Sequence, residues 1–258
     1  MIAGGVDPGN SVTGYAVLAG EAGSMVAPSV VDVGQARGPT AKDIAEEVDR
    51  NLERCCAPTC FLEVPPFRTR GDVRHGSQSE IGWKLGYLSG RIASRVEARG
   101  VTVRLVEVAD WRAFMPALAM RWAGVEGIVR PDRKVRTVPH IVRTEAGGLA
   151  LAWDGCDHRV STTIEDVGSG RAPQRCPTCS GRPAGKRAPT GADARTERWK
   201  IEACRYAAAV WPEAYRTIVG DARSRARGDL ERPDHEFEGV SDQCESLWVC
   251  AYAFRGDS

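Results

Sequence analysis

Gly5-Val6-Asp7-Pro8-Gly9-Asn10-Ser11-Val12-Thr13-Gly14-Tyr15-Ala16-Val17 is the stretch on which the fold turns. Ile2–Val6 is a short apolar run, and the Asp7-Pro8-Gly9-Asn10 that closes it has the composition of a tight turn. Val12–Leu18 is rich in β-forming residues, and Ala19-Gly20-Glu21-Ala22-Gly23-Ser24 turns toward a third run at Val30–Val33. Three such runs with short links predict an antiparallel meander. The period then changes. Ile44, Val48 and Leu52 at four-residue steps predict a helix from Thr40 or Ala41 to about Cys55. Phe61-Leu62-Glu63-Val64 reads as a short strand stopped by Pro65-Pro66.

Ser79–Arg99 carries the strongest helical stripe, Ile81, Leu85, Leu88, Ile92 and Val96. Gly82, Gly86 and Gly90 recur every fourth residue and mark a face open to close approach by a sheet or a partner subunit. A strand at Val101–Val108 and a helix over about Asp110–Arg121 follow. Antiparallel strands first, then strands alternating with helices, predict an α/β protein with a mixed sheet. From Val125 to Asp193 the helical period lapses, and helical character returns at Ala194–Val210, stopped by Pro212. An Arg- and Asp-rich loop at 220–238 and a closing helix at Asp242–Phe254 complete the chain. The organisation expected is one domain from 1–124 and 194–258, interrupted by a small module at 125–193.

At 258 residues, one domain with an insertion is the natural size. No run approaches the roughly 20 apolar residues that span a bilayer, and the N-terminus shows no basic-then-apolar leader pattern. Nine cysteines, an odd number and scattered, fit a reducing cytoplasm, with some cysteines on metal, better than a secreted disulfide framework. The formal net charge of +1 hides a segregation: residues 121–232 hold 21 Lys and Arg against 14 Asp and Glu. Of the 35 basic residues 30 are Arg, whose planar fork suits phosphate.

Four acids stand where catalysis would use them. Asp7 closes the first strand, Glu63 lies near the end of the fourth, and Asp242 and Glu245 open the last helix, three apart and on one face. Each alone has an ordinary reading, as a turn residue, a solvated strand end or a helix capping pair. If the first and fourth strands are neighbours, all four converge. Crowded carboxylates raise one another's pKa, and divalent cations relieve the repulsion.

The quoted stretch resembles the first hairpin of RuvC-type Holliday junction resolvases, G-I-D-P-G-x-x-x-T-G-[YW]-[GA]-[VI]. Phe61-Leu62-Glu63 is similar to the strand bearing that family's second acid, and Trp83-Lys84-Leu85-Gly86 with Gly90 to the helix after it. Asp242-Gln243-Cys244-Glu245-Ser246-Leu247 resembles the closing D-x-x-D-A-L, with Glu for the second Asp. The resemblance covers about 1–120 and 194–254. It implies an RNase H-like fold, a five-stranded mixed sheet flanked by helices, in the cytoplasm of a bacterial cell or a phage-infected host, a homodimer, and nicking of opposed strands of a four-way DNA junction. It further implies two Mg²⁺ (Mn²⁺ as a substitute) on Asp7, Glu63, Asp242 and Glu245, with Asp7 bridging both. The longer Glu245, Pro65-Pro66 before Phe67, and the insertion depart from the pattern. His235, near Asp242 in sequence, is a candidate for positioning a group, with a solvated loop histidine as its ordinary reading.

Within the insertion, Cys156-x-His158 and Cys176-Pro177-Thr178-Cys179 form two N/S pairs of the kind that hold a structural, tetrahedral Zn²⁺. Cys55, Cys56 and Cys60 are expected to be buried as small apolar side chains, and Cys204, Cys244 and Cys250 to pack within helices. Phe67, Arg68, Arg70, Arg74 and His75 follow Glu63 in a loop expected to overhang the acids. With Lys84, and with Arg171, Arg175, Arg182, Lys186 and Arg187 of the insertion, they are candidates for a track along DNA backbones. The seven tryptophans read mostly as core or interface.

Overall fold

The computed structural model describes residues 1–9, 12–64, 76–128, 139–153, 156–173, 175–178, 192–227 and 231–256, with backbone alone at 76–81, 127–128, 156 and 192–197. Strands β1 (Ile2–Asp7), β2 (Thr13–Ala19) and β3 (Ser29–Ala36) form the antiparallel meander that the turn residues predict. Helix α1 (Ala41–Arg54) follows, and strand β4 (Thr59–Val64) returns parallel to β1. Helix α2 (Gly76–Glu97) then leads to strand β5 (Thr102–Glu107), parallel to β4. The order β3-β2-β1-β4-β5 is the five-stranded mixed, RNase H-like sheet expected.

Period-two alternation decides which side chain meets which layer. On one face Val6, Tyr15, Val17, Cys60 and Leu62 pack against Ile44, Val48 and Leu52 of α1 and Leu88, Ile92 and Val96 of α2. Thr40 starts α1 with a capping box, its hydroxyl accepting from Asp43 N while Asp43 accepts from Thr40 N. Buried Asp49 of α1 is clamped by Arg95 and Arg99 beyond it. On the opposite face Ala3, Ala16, Leu18, Phe61 and Val106 meet helices α3 (Val108–Ala123), α5 (Ala192–Val210) and α7 (Val240–Ala251).

Two glycines let α7 lie directly on the sheet. A methyl group at Gly5 would collide with the backbone of Ser246 and Cys250, and one at Gly14 with the carbonyl of Asp242. Gly14 pairs with Asp7 across β1 and β2. The glycines of the quoted hairpin therefore set the height and register of the helix that carries two of the acids. Gly14→Ala is expected to cost about 1–3 kcal/mol, read as a lowered urea midpoint at unchanged slope.

Four further strands build a second sheet, β6 (Gly127–Ile128), β7 (His140–Arg143), β8 (Leu149–Trp153) and β9 (Cys156–Thr162), antiparallel throughout. A short helix α4 (Ile164–Gly168) follows. Ile141, Leu151, Trp153, Ile164, Val167 and Cys176 belong to the same apolar cluster as α3, α5 and α7. This sheet thus shares a core with the helices beside it.

Two expectations are corrected. The loop expected at 220–238 is helical as far as Arg225, because Pro212, expected only to stop the helix before it, opens helix α6 (Pro212–Arg225). Proline at the first helical position lacks only an N–H that has no partner there, so it starts a helix as readily as it stops one. Of the two readings of the face of Gly82, Gly86 and Gly90, the sheet is corrected: among the described residues nothing lies within 4 Å of a side chain added at any of them, and the partner subunit stays open. Beside them Trp83 is 70% exposed and stacks on Tyr87. Trp111, Trp153, Trp211 and Trp248 are buried as expected. Cys60, Cys204, Cys244 and Cys250 are also buried, whereas Cys56 is exposed with positive φ just after α1. Among the described residues no helix is long and apolar enough to cross a membrane.

Candidate metal centre

The alternation that sends Val6 and Leu62 toward α1 and α2 sends Asp7 and Glu63 toward α7. Val6 pairs with Leu62 in the parallel β1–β4 register, so the next residues, Asp7 and Glu63, leave the sheet side by side. Helix α7 begins over Gly14, which brings Asp242 and, one turn on, Glu245 to the same edge. One oxygen each from Asp7, Asp242 and Glu245 lie within 4.8 Å of one another. Asp7 and Glu245 are buried, and Glu63 and Asp242 partly so. Glu245 reaches the cluster despite its extra methylene.

Glu63 stands beside this triad, with its Oε2 accepting a 2.7 Å hydrogen bond from the buried indole Nε1 of Trp111. The next residue, Arg112, donates to Glu245 Oε1 at 2.6 Å. Both belong to the first turns of α3, directly after β5, the strand beside β4. Lys200 of α5 lies 4.0 Å from Asp242 Oδ1. Trp111, Arg112 and Lys200 escape a reading of the sequence because their partners are 48, 133 and 42 residues away. The one available signal is position: they lie near strand and helix ends that the sheet order brings to one rim.

Among the described residues two cations, Arg112 and Lys200, face the four carboxylates, and the shortfall shows in the acids. Burial first, then Glu63, Glu245 and Asp242, hold the Asp7 carboxyl well above its ordinary range, with Arg112 opposing. Burial and Glu245 push Glu63 up to about 7, opposed by Arg112 and by the Trp111 hydrogen bond. Asp242 is raised by burial, partly offset by Lys200. Arg112 Nε is buried with no hydrogen-bond partner among the described residues. An all-carboxylate donor set, crowded and short of positive charge, suits a hard divalent cation such as Mg²⁺ or Mn²⁺. The residues present fit that ion.

The other candidates divide. Phe67, Arg68, Arg70, Arg74, His75, Cys179, Arg182, Lys186 and Arg187, with the side chain of Cys156, lie outside the described residues. Cys176 is buried in the shared core, while His158 is exposed on β9. Lys84 and Arg175 are exposed. Arg171 is exposed too, but pairs with Asp166 at 3.0 Å and Glu165 at 3.7 Å. His235 sits in the 3₁₀ turn Asp234–Glu236, its Nε2 4.0 Å from Glu236.

No protein-family model and no curated protein matches the sequence. Among solved structures the chain is similar to RuvC of Thermus thermophilus, at 17% identity and TM-score 0.36 over 51% of this chain and 86% of that one. It is similar to T. thermophilus RuvC in complex with a Holliday junction substrate, at 17% identity and TM-score 0.37 over 51% and 85%. A third likeness is to the Fowlpox virus resolvase in complex with substrate Holliday junction DNA, at 17% identity and TM-score 0.26 over 42% and 60%.

Proposed function

We propose that this chain is a divalent-metal-dependent DNA endonuclease that resolves four-way junctions. The observation that carries the reading is the convergence of Asp7, Asp242 and Glu245, with Glu63 beside them, at one edge of the sheet. Such a donor set has little use in a structural role, where its repulsion is a cost. The resemblance of the first hairpin and the closing helix to the resolvases supplies the substrate class.

In this reading Asp7, Glu63, Asp242 and Glu245 hold two Mg²⁺, which when bound activate a water for in-line attack and neutralise the leaving oxygen. The chain's own residues arrange that donor set. The β1–β4 register aligns Asp7 with Glu63, Trp111 fixes the Glu63 carboxylate from the α3 side, and Arg112 fixes Glu245. Phe67, Arg68, Arg70, Arg74 and Lys84, with Arg175, Arg182, Lys186 and Arg187, guide the flanking DNA backbones. Arg171 joins them only by leaving its acidic partners. Two copies act together, and the unoccupied glycine face of α2 with Trp83 and Tyr87 is available for that contact. Residues 125–193 are an insertion in the nuclease domain formed by 1–124 and 194–258.

The test is cleavage of a synthetic four-way junction with Mg²⁺, beside duplex, flap and RNA–DNA hybrid of the same sequence. Paired nicks in opposed strands of the junction, with the duplex left intact, are expected. Faster cutting of flap or hybrid would move the substrate to another branched or hybrid form within the same chemistry. Binding without cleavage of any substrate would leave a DNA-binding protein.

In the same reading Cys156, His158, Cys176 and Cys179 would hold a structural Zn²⁺ that ties the start of β9 to the segment after α4. Protein purified without added metal is expected to contain about one zinc per chain by elemental analysis. Cys176→Ser should lose it and unfold at lower temperature.

A further inference from the structure

A cavity of about 230 Å³ lies where the second sheet meets the end of α3. Its walls include Arg121 from the last turn of α3, Arg143 at the end of β7, Leu149, Thr162 and Met25 of the β2–β3 connection. Helix α3 starts at the acid cluster and runs 16 residues, about 24 Å. The cavity is therefore at the far end of the molecule from the metal centre.

Its charge is not balanced. Arg121 donates through Nη1 to the carbonyl of Arg255 at 3.1 Å. Arg143 donates through Nη2 to the carbonyls of Met120 at 3.2 Å and Arg121 at 2.7 Å. The two Arg143 bonds close the end of α3, where cations are favoured, and the Arg121 bond ties that end to Arg255, but together they engage one nitrogen of each guanidinium. Among the described residues neither arginine has a carboxylate within ion-pair distance. Burial also disfavours the charge on Arg121. Thr162 also lines the cavity, and its Oγ1 lies just behind that wall, closed to solvent and with no hydrogen-bond partner among the described residues. Two tethered guanidinium groups with spare donors and an unsatisfied hydroxyl make a concave donor set that lacks an acceptor.

We propose that this cavity binds a phosphate group, held between Arg121 and Arg143, with the Thr162 side chain turning about χ1 to bring its unsatisfied Oγ1 to the phosphate as a third donor. Leu149 and Met25 give it an apolar flank for the group that carries the phosphate. The volume suits a phosphoryl group with a few further atoms and is below that of sites for drug-sized ligands. The phosphate belongs either to a small anion or to a nucleic-acid backbone, which present the same oxygens. Because Met25 and Arg121 come from the main fold and the other walls from the second sheet, its binding would clamp the two together.

The test uses the full chain in magnesium-free buffer, with thermal unfolding followed against increasing sodium phosphate and against sodium chloride of equal ionic strength. Saturable stabilisation by phosphate alone is expected. Arg143→Gln should weaken the apparent affinity by about 10-fold or more and Thr162→Val by several-fold, with Arg143→Lys intermediate. Lys42→Gln, which removes a charge from exposed α1 surface, should bind as wild type. Should Arg143→Gln not fold, Arg143→Lys and Thr162→Val decide the matter. A thymidine dinucleotide with a single internal diester separates the sources. Competition with phosphate assigns a backbone contact, and its absence a free anion. Equal stabilisation by chloride, or wild-type affinity in both Arg143→Lys and Thr162→Val, would overturn the proposal. Neither result depends on nuclease activity.

Discussion

Asp7→Asn is expected to lower Mg²⁺-dependent junction cleavage by on the order of 10³-fold while junction binding persists. Asp7 is the acid at the centre of the cluster: Glu63, Asp242 and Glu245 all act on its carboxyl. The amide keeps the shape and one oxygen but removes the charge that a metal ion would answer. The same substitution should stabilise the metal-free protein, because a buried carboxylate repelled by three others becomes neutral. Loss of activity with a gain in stability distinguishes a metal ligand from a structural acid, whose removal would lower both. Quantified nicking of a labelled junction, gel-shift binding and urea unfolding read the three quantities.

The second large effect is on pH. Glu63 is pushed from an ordinary 4.5 up to about 7 by burial and by Glu245. A carboxyl whose folded pKa exceeds its unfolded value binds its proton more tightly in the folded chain. Its contribution is therefore fully present below pH 4.5 and is lost as the pH climbs through about 7. For Glu63 the loss is on the order of 3 kcal/mol, and Asp7, raised in the same direction, adds to it. Urea unfolding of magnesium-free protein should show stability falling across this window, with saturating Mg²⁺ removing most of the slope. Glu63→Gln should flatten the magnesium-free curve. A curve that rises with pH over the same range would mean that the cluster already holds enough positive charge.

The fold was legible where short-range pattern coincides with long-range consequence. The turn after Asp7 and the alternation of Phe61-Leu62-Glu63 place both acids on one face, because a parallel β1–β4 pairing keeps the parity of the two strands in step. Gly5 and Gly14 were visible as part of a motif, but their purpose, room for the backbone of α7, needed the packed structure. Helix α6 was hidden because Pro212 carries two opposite local meanings, and only tertiary context chooses between them. Trp111 and Arg112 were hidden for a different reason. An indole and a guanidinium at a helix start look like ordinary core and surface until β5 is known to lie beside β4. The glycines of α2 illustrate the converse, a pattern that announced a close contact for which none of the described residues supplies a partner.

The most direct measurement is anomalous diffraction from crystals of the wild-type chain grown with Mn²⁺, collected at the manganese absorption edge. Density is expected among the carboxylates of Asp7, Asp242 and Glu245, with Glu63 in reach, and absent in Asp7→Asn crystals grown the same way. An empty acid cluster in well-diffracting Mn²⁺ crystals, or density that persists unchanged in Asp7→Asn, would contradict a metal-dependent nuclease centre at this edge of the sheet.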